Sequence, residues 1–239
     1  PAVDGTLRAL QAAHAAGITR VVLTSSPVAI SGAALPPGDT EFDETNWTDP
    51  EDPTVSAYGR SKTLAERAAW EFVEKTAPDM RLTVVNPGLV LGAPLGGSFG
   101  SSVGLVQRVL RGKDPMLPDI GFGTVDVRDV AELHVAVIDK PETVGQRIMA
   151  VDKFMSFQEM AQATKAAYPD LKIATRIAPH LLIRFLALFD KEVRSIVPAL
   201  GRVDKMDNSR AIATLGRGMR QAPKSAATTA NYLGENNLI

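Results

Sequence analysis

The sequence contains no cysteine, which excludes disulfides, thiolate nucleophiles and Cys-ligated zinc. Histidine is scarce: His14, His134 and His180 are isolated from one another. None has a partner at metal-ligand spacing, so no metal site is expected. A surplus of either charge is also missing, because 26 Lys and Arg stand against 27 Asp and Glu, for a formal net charge of -1. A dedicated nucleic-acid binder would show a basic excess. No apolar run approaches the length needed to cross a bilayer, and the first residues carry no secretory-signal pattern. The expectation is a soluble, cytoplasmic protein with neither membrane nor nucleic-acid partners. Repeats and low-complexity tracts are lacking too. What is present is an ordinary globular composition over 239 residues, 45% hydrophobic and 22% charged. That length serves one large domain or two small ones.

The apolar spacing over Val3 to Ala16 predicts a helix, with Gly17 as its C-cap. Arg20-Val21-Val22-Leu23-Thr24-Ser25-Ser26 reads as a buried parallel strand ending in hydroxyls. Residues 27–56 read as a loop, with Pro36, Pro37, Pro50 and Pro53. Seven acids lie in it (Asp39, Glu41, Asp43, Glu44, Asp49, Glu51 and Asp52) and no base, the pattern of a solvated surface excursion. A long helix is predicted from Ala57 to Thr76, with one apolar row at Leu64, Ala68 and Phe72 and a second at Ala65, Ala69 and Val73. Leu82 to Asn86 is a second buried strand, closed by Pro87-Gly88. A glycine-rich loop from Gly88 to Gly104 leads to a helix at Val103 to Leu110. Val127 to Asp139 is amphipathic, with Asp126 and Asp129 as capping and first-turn acids. Arg147 to Val151 is a third strand, and the remainder reads as mostly helical: 156–167, 180–189, 192–200, 209–215 and 225–237. Trp47 and Trp70 read as packing residues.

Helix and strand in alternation imply an α/β layered fold with a parallel sheet. Ligands in such sheets sit at the carboxyl ends of strands, which directs attention to Thr24-Ser25-Ser26 and Asn86-Pro87-Gly88. Tyr58 and Lys62, four residues apart at the start of the long helix, share one of its faces. An ammonium beside a phenol favours the phenolate, and such a tyrosine can exchange a proton with an alcohol or carbonyl oxygen near neutral pH. A serine at a strand end could hold that oxygen. Ser26, Tyr58 and Lys62 thus compose a carbonyl/alcohol site, and a cofactor must supply the hydride, since none of the three can carry one. Tyr-x-x-x-Lys is common by chance, and Ser25 or Ser26 could equally satisfy backbone groups at the strand end. The weight comes from context: the pair opens a helix that follows a strand ending in hydroxyls.

These motifs, taken in order, resemble the extended short-chain dehydrogenase/reductase family. The match is nearest to its branch of dihydroflavonol and cinnamoyl-CoA reductases. The matching pieces are Pro1-Ala2-Val3-Asp4-Gly5-Thr6, Arg20 to Ser26, Phe42-Asp43-Glu44 with Trp47, and Tyr58-Gly59-Arg60-Ser61-Lys62 with Ala65-Glu66. They continue with Val85 to Gly92, Val125 to Ala131 and Asp207-Asn208-Ser209-Arg210-Ala211. The resemblance implies a doubly wound, Rossmann-like parallel sheet over residues 1–150 and a smaller, mostly helical substrate region over 151–239. The loop 92–125 would contribute to the substrate side. It implies Tyr58 as general acid/base, Lys62 supporting it and holding the nicotinamide ribose, and Ser26 (with Ser25 as the neighbouring alternative) bonding the substrate oxygen. Thr24, Ser25, Asn86, Pro87, Gly88, Leu89 and Val90 would join Tyr58 and Lys62 around the cofactor, NADPH or NADH. The implied reaction is hydride transfer to an aldehyde or ketone of a small molecule. A nucleotide-sugar epimerase or dehydratase of the same family, and a non-catalytic fragment without cofactor binding, are the alternatives. A homodimer is compatible with the resemblance.

One family element has no counterpart. The Gly-x-x-Gly-x-x-Gly turn that brings a pyrophosphate to a helix N-terminus is not found at the start of this sequence. Gly92 to Gly104 is glycine-rich but follows a different strand. The resemblance therefore sets the expectation that roughly three strand–helix units, of about 30 residues each, precede Pro1 in the whole protein. The strand at 21–25 would then show an open edge, and this chain alone would hold no intact dinucleotide.

Overall fold

The computed structural model describes residues 1–239. In chain order the first elements are helix α1 (Ala2–Ala15), strand β1 (Arg20–Thr24), the single turn α2 (Val28–Ser31), the long helix α3 (Ala57–Lys75) and strand β2 (Arg81–Pro87). There follow β3 (Leu89–Leu91), α4 (Ser101–Leu110), β4 (Gly121–Asp126), α5 (Val127–Asp139), β5 (Arg147–Ala150) and β6 (Lys153–Ser156). The chain ends with α6 (Phe157–Ala167), α7 (His180–Leu186), α8 (Lys191–Ile196), α9 (Ser209–Leu215) and α10 (Ala222–Glu235). These elements form two compact units, both discontinuous in sequence. The first comprises Pro1–Gly88, Val130–Ala150 and Lys205–Gly218; the second comprises Leu89–Asp129, Val151–Asp204 and Met219–Ile239.

The first unit is built on a three-stranded parallel sheet in the order β1-β2-β5. Val21 pairs with Leu82 and Val22 with Thr83, and Val85 pairs with Ile148 on the other side. The middle strand β2 is buried from Leu82 to Pro87, as a parallel strand covered on both faces should be. β1 has β2 as its single partner strand, so its other edge is unpaired within this chain. Leu10 of α1 and Ala69 and Phe72 of α3 pack with Leu82 and Val84 in one apolar cluster. Gly17, in the left-handed conformation at φ 72°, ends α1 where a residue with a Cβ would be strained.

Two sequence expectations are corrected in this unit. The predicted apolar rows of α3 hold in part: Ala65, Ala69 and Phe72 are buried and Val73 packs with them, whereas Leu64 is exposed and Gly59, Thr63 and Glu66 are buried instead. The inward face therefore includes a carboxylate, which apolar periodicity could not reveal. The acidic loop is likewise not wholly solvated. Phe42 is buried and bridges to Met206. Glu44 is buried, accepts from the Met149 amide at 3.0 Å, and has its pKa raised by burial.

The second unit contains a sheet that apolar patterning did not reveal, in the order β3-β4-β6. β3 and β4 run parallel, and β4 and β6 antiparallel. Residues 89–91 lie within the predicted glycine-rich loop, 121–126 carry no strand pattern, and 153–156 run into the start of the first predicted late helix. The signals were weak because β3 has three residues and β4 carries glycine at 121 and 123. The structure supplies the reason for one of these glycines. A Cβ on Gly121 would lie 2.3 Å from the Phe154 ring of the neighbouring strand. Around this sheet, Val106 and Leu110 of α4, Met160 of α6, and Ala222, Ala226, Ala230 and Leu233 of α10 form one buried core. Alanines four apart give α10 a narrow face that lets neighbouring backbones approach.

Candidate active site

Local chemistry places Tyr58 at the mouth of α3. Ser56 is the N-cap: its backbone is extended, and its hydroxyl accepts the Gly59 amide at 3.0 Å. That fixes the first turn and puts Tyr58 and Lys62 one turn apart on the same face. Lys62 Nζ lies 5.9 Å from the centre of the Tyr58 ring. The ring is 56% exposed, and neither the phenol nor the ammonium has a hydrogen-bond or ion-pair partner in the protein.

The three hydroxyls at the end of β1 behave differently from one another. Thr24 Oγ1 is 2.7 Å from His134 Nε2, while His134 Nδ1 lies 2.7 Å from the Val130 carbonyl. Because a carbonyl only accepts, Nδ1 carries the proton and Thr24 donates to Nε2. The Ser25 hydroxyl donates to the Glu66 carboxylate. The Ser26 hydroxyl has no protein partner, although the residue is buried. Thr24 and Ser25 are thus committed to protein partners, and Ser26 is the hydroxyl of the three without one. Sequence alone left Ser25 and Ser26 as alternatives.

Behind this face lies a buried polar cluster that sequence reasoning missed. Asn86 at the end of β2 is completely buried, and its Nδ2 donates to the Ser26 carbonyl at 3.1 Å and to Glu66 Oε2 at 2.7 Å. Glu66 Oε1 accepts from Arg147 Nε at 2.6 Å; the two side chains are 0% and 7% exposed. Burial lowers the Arg147 pKa, and the charge of Glu66 and its hydrogen bond oppose that fall. Arg147 also donates from Nη1 to the carbonyls of Glu44 (3.0 Å) and Asn46 (2.6 Å), and its guanidinium lies 3.7 Å from the centre of the Trp47 ring. Trp47 is therefore a cation–π platform as well as a packing residue. Arg210, from the late Asp207 to Ala211 segment, donates to the Arg147 carbonyl at 2.9 Å. One signal in the sequence could have indicated Glu66: it lies four residues after Lys62 and eight after Tyr58, on the same helical face.

The remaining sequence-selected residues fall as follows. Pro87 is buried at the end of β2, opposite Ala150, and the Gly88 amide donates to the Ala150 carbonyl at 3.0 Å. Leu89 and Val90 are half-buried in β3. Asp126 and Asp129 act structurally, as expected. Asp126 accepts the Arg128 amide at 2.9 Å, the Arg128 guanidinium at 2.8 Å and the Ser225 hydroxyl at 2.6 Å. Burial pushes its pKa up, but these hydrogen bonds and the guanidinium charge outweigh that and hold it at about 2. Asp129 accepts the Arg220 amide at 2.7 Å and pairs with its guanidinium. His180 meets Asp119 at 2.8 Å, and no group of acids and histidines is arranged to hold a metal ion. No helix is long and apolar enough to cross a membrane.

Two clefts accompany these residues. One, of about 310 Å³, belongs to the second unit and is lined by Val90 to Pro94, Ser98 to Gly100, Val103 and Val127. The other, of about 500 Å³, lies between the start of α1 and the flank of α3 at Ala57, Arg60, Ser61 and Leu64. Neither Tyr58 nor Lys62 lines it, so it does not contain the candidate chemistry. The loop before α4 is not a phosphate cradle: a Cβ at Gly96, Gly97, Gly100 or Gly104 would meet nothing within 4 Å, whereas a glycine cradle is defined by close approach.

Comparison with known proteins identifies the family. The sequence profile of the NAD dependent epimerase/dehydratase family matches residues 2–151. A cinnamoyl-CoA reductase of Medicago truncatula is 34% identical over 183 residues, covering 74% of this chain and 55% of the relative. A ketoreductase of Aspergillus niger is 36% identical over 195 residues, covering 75% and 56%. The chain thus spans about half the length of the curated relatives it matches. Among solved structures, the yeast methylglyoxal/isovaleraldehyde reductase complexed with NADPH superimposes with a TM-score of 0.76 at 27% identity, over 100% of this chain and 71% of that one. The fold is Rossmann-like α/β.

Proposed function

The chain belongs to the NAD dependent epimerase/dehydratase family, and we propose that it carries the catalytic residues of an NADPH-dependent reductase of aldehyde or ketone carbonyls. The observation that carries this reading is the set of three uncommitted polar groups, Ser26 hydroxyl, Tyr58 phenol and Lys62 ammonium. They belong to a unit in which the neighbouring polar side chains Thr24, Ser25 and Glu66 are engaged and Asn86 is engaged through Nδ2.

In this reading the Ser26 hydroxyl donates to the substrate carbonyl oxygen and orients it. Tyr58 donates its phenolic proton to that oxygen as the carbon is reduced, and its exposed ring recovers a proton from solvent. The Lys62 ammonium stabilises the negative charge that the phenol acquires and holds the ribose hydroxyls next to the nicotinamide. NADPH, when bound, supplies the hydride. The backbone of Pro87, Gly88, Leu89 and Val90 would help hold the nicotinamide end of the cofactor. The residues present fit this end of the cofactor. They do not supply a pyrophosphate cradle, and we assign that part to the length that the relatives have and this chain does not span. Relatives named as methylglyoxal, cinnamoyl-CoA and keto reductases support a carbonyl substrate.

The test is Tyr58→Phe in the whole protein, with NADPH consumption followed against methylglyoxal and other small aldehydes. Turnover should fall by about a hundredfold or more with NADPH affinity unchanged. Full activity in the variant, or a wild type that reduces no carbonyl, would overturn the assignment.

A further inference from the structure

We propose that Glu66 is a positioning residue, fixing the helix that carries Tyr58 and Lys62 against the strand end that carries Ser26. The proposal rests on the reductase reading. Glu66 lies one turn beyond Lys62 and two beyond Tyr58, on the face of α3 that they share. Its carboxylate accepts the Ser25 hydroxyl from the end of β1, Asn86 Nδ2 from the end of β2 (2.7 Å) and Arg147 Nε from the start of β5 (2.6 Å). The same Asn86 nitrogen donates to the Ser26 carbonyl at 3.1 Å. One amide therefore spans from the backbone of Ser26 to the side chain of Glu66.

A buried ion pair is a poor device for stability alone, since well-packed apolar groups in its place are often as stable or more so. A charge-assisted network does something an apolar contact does not: it fixes direction and distance. Here the fixed vector runs from Ser26 to α3, and Ser26, Tyr58 and Lys62 lie on its two ends. Arg147 extends the network. Its own side chain is fixed by the Glu44 and Asn46 carbonyls and the Trp47 ring, so Glu66 is held from behind. Proton transfer and carbonyl orientation depend steeply on such geometry, and a misplacement of about 1 Å can cost on the order of a hundredfold in rate.

The experiment uses the whole protein with its tyrosine ring Cζ carbons labelled for NMR. The sequence has three tyrosines, and the resonance lost in Tyr58→Phe identifies Tyr58. Glu66→Gln keeps size but removes the charge and turns one accepting oxygen into a donor, and Glu66→Asp keeps the charge but withdraws it by one methylene. In Glu66→Gln the Tyr58 resonance should shift or broaden without any ligand. The kcat for methylglyoxal reduction should fall roughly tenfold or more. Glu66→Asp should show the same changes at smaller size, and if the Gln variant does not fold, the Asp variant alone decides. A Tyr58 resonance unmoved in the folded variant overturns the proposal whatever the rate does, and so does an unchanged kcat. If the wild type itself reduces no carbonyl, the reductase reading fails. The ligand-free Tyr58 resonance then judges the positioning role alone, supporting it if moved and refuting it if not.

Discussion

Glu66 in the first unit and Asp126 in the second are both carboxylates with no exposed side-chain surface, each held by an arginine. Their partners differ. Glu66 draws its donors from three strand ends far away in sequence, and its Arg147 is only 7% exposed. Asp126 draws most of its donors from Arg128, two residues on, whose side chain is 57% exposed, and adds one distant hydroxyl from Ser225. The first arrangement joins tertiary elements beside the uncommitted Ser26 hydroxyl. The second caps its own helix and tethers α10. The same residue types thus perform a long-range task in one unit and a mainly local one in the other, and sequence separation tells which.

That comparison can be broken by substitution. Arg147→Met should have the largest effect, about 3–5 kcal/mol of unfolding free energy, because it strands the Glu66 carboxylate in the interior. Urea unfolding monitored by circular dichroism measures it. Asp126→Ala should cost about 1–3 kcal/mol by leaving the Ser225 hydroxyl and the Arg128 amide without their acceptor. Acid probes the second cluster further. The Asp126 pKa is held at about 2 in the folded chain, below the ordinary value of about 3.9. The stability it contributes is therefore complete above about pH 4 and is lost as pH falls toward about 2. The stability gap between wild type and Asp126→Asn should close across that window. Arg128→Ala should be the mildest, about 1 kcal/mol or less, because its exposed guanidinium is screened by solvent. A cost as large as that of Arg147→Met would erase the distinction between the two clusters.

Much of the candidate site was legible because its signals are short-range. Tyr58 and Lys62 share a face by helical period, Ser56 caps their helix, and Arg20 to Ser26 reads as a strand from its β-branched run. Asp126 could be assigned to capping because its partners include Arg128, two residues on, and Asp129 to the first turn of α5 by position alone, since its partner Arg220 lies 91 residues away. The second sheet could not be read: β3 is three residues long, and Gly121 is present because Phe154, 33 residues away, occupies its Cβ position. The role of Glu66 was hidden for the same reason, since its donors at Ser25, Asn86 and Arg147 span the chain. The burial of Glu44 within an acidic loop depended on Met149 and Arg210, which no local pattern connects to it.

The sequence by itself determined the α/β class, the order of the first unit's strands and helices, and the pairing of Tyr58 with Lys62. All three depend on periodicity and on residues within one or two turns of each other. The tertiary structure alone decided which of three neighbouring hydroxyls is free, which face of α3 turns inward, and that a second sheet exists. Those outcomes depend on which distant donor reaches a given acceptor, and hydrogen bonds between remote segments leave no local mark in the chain that makes them.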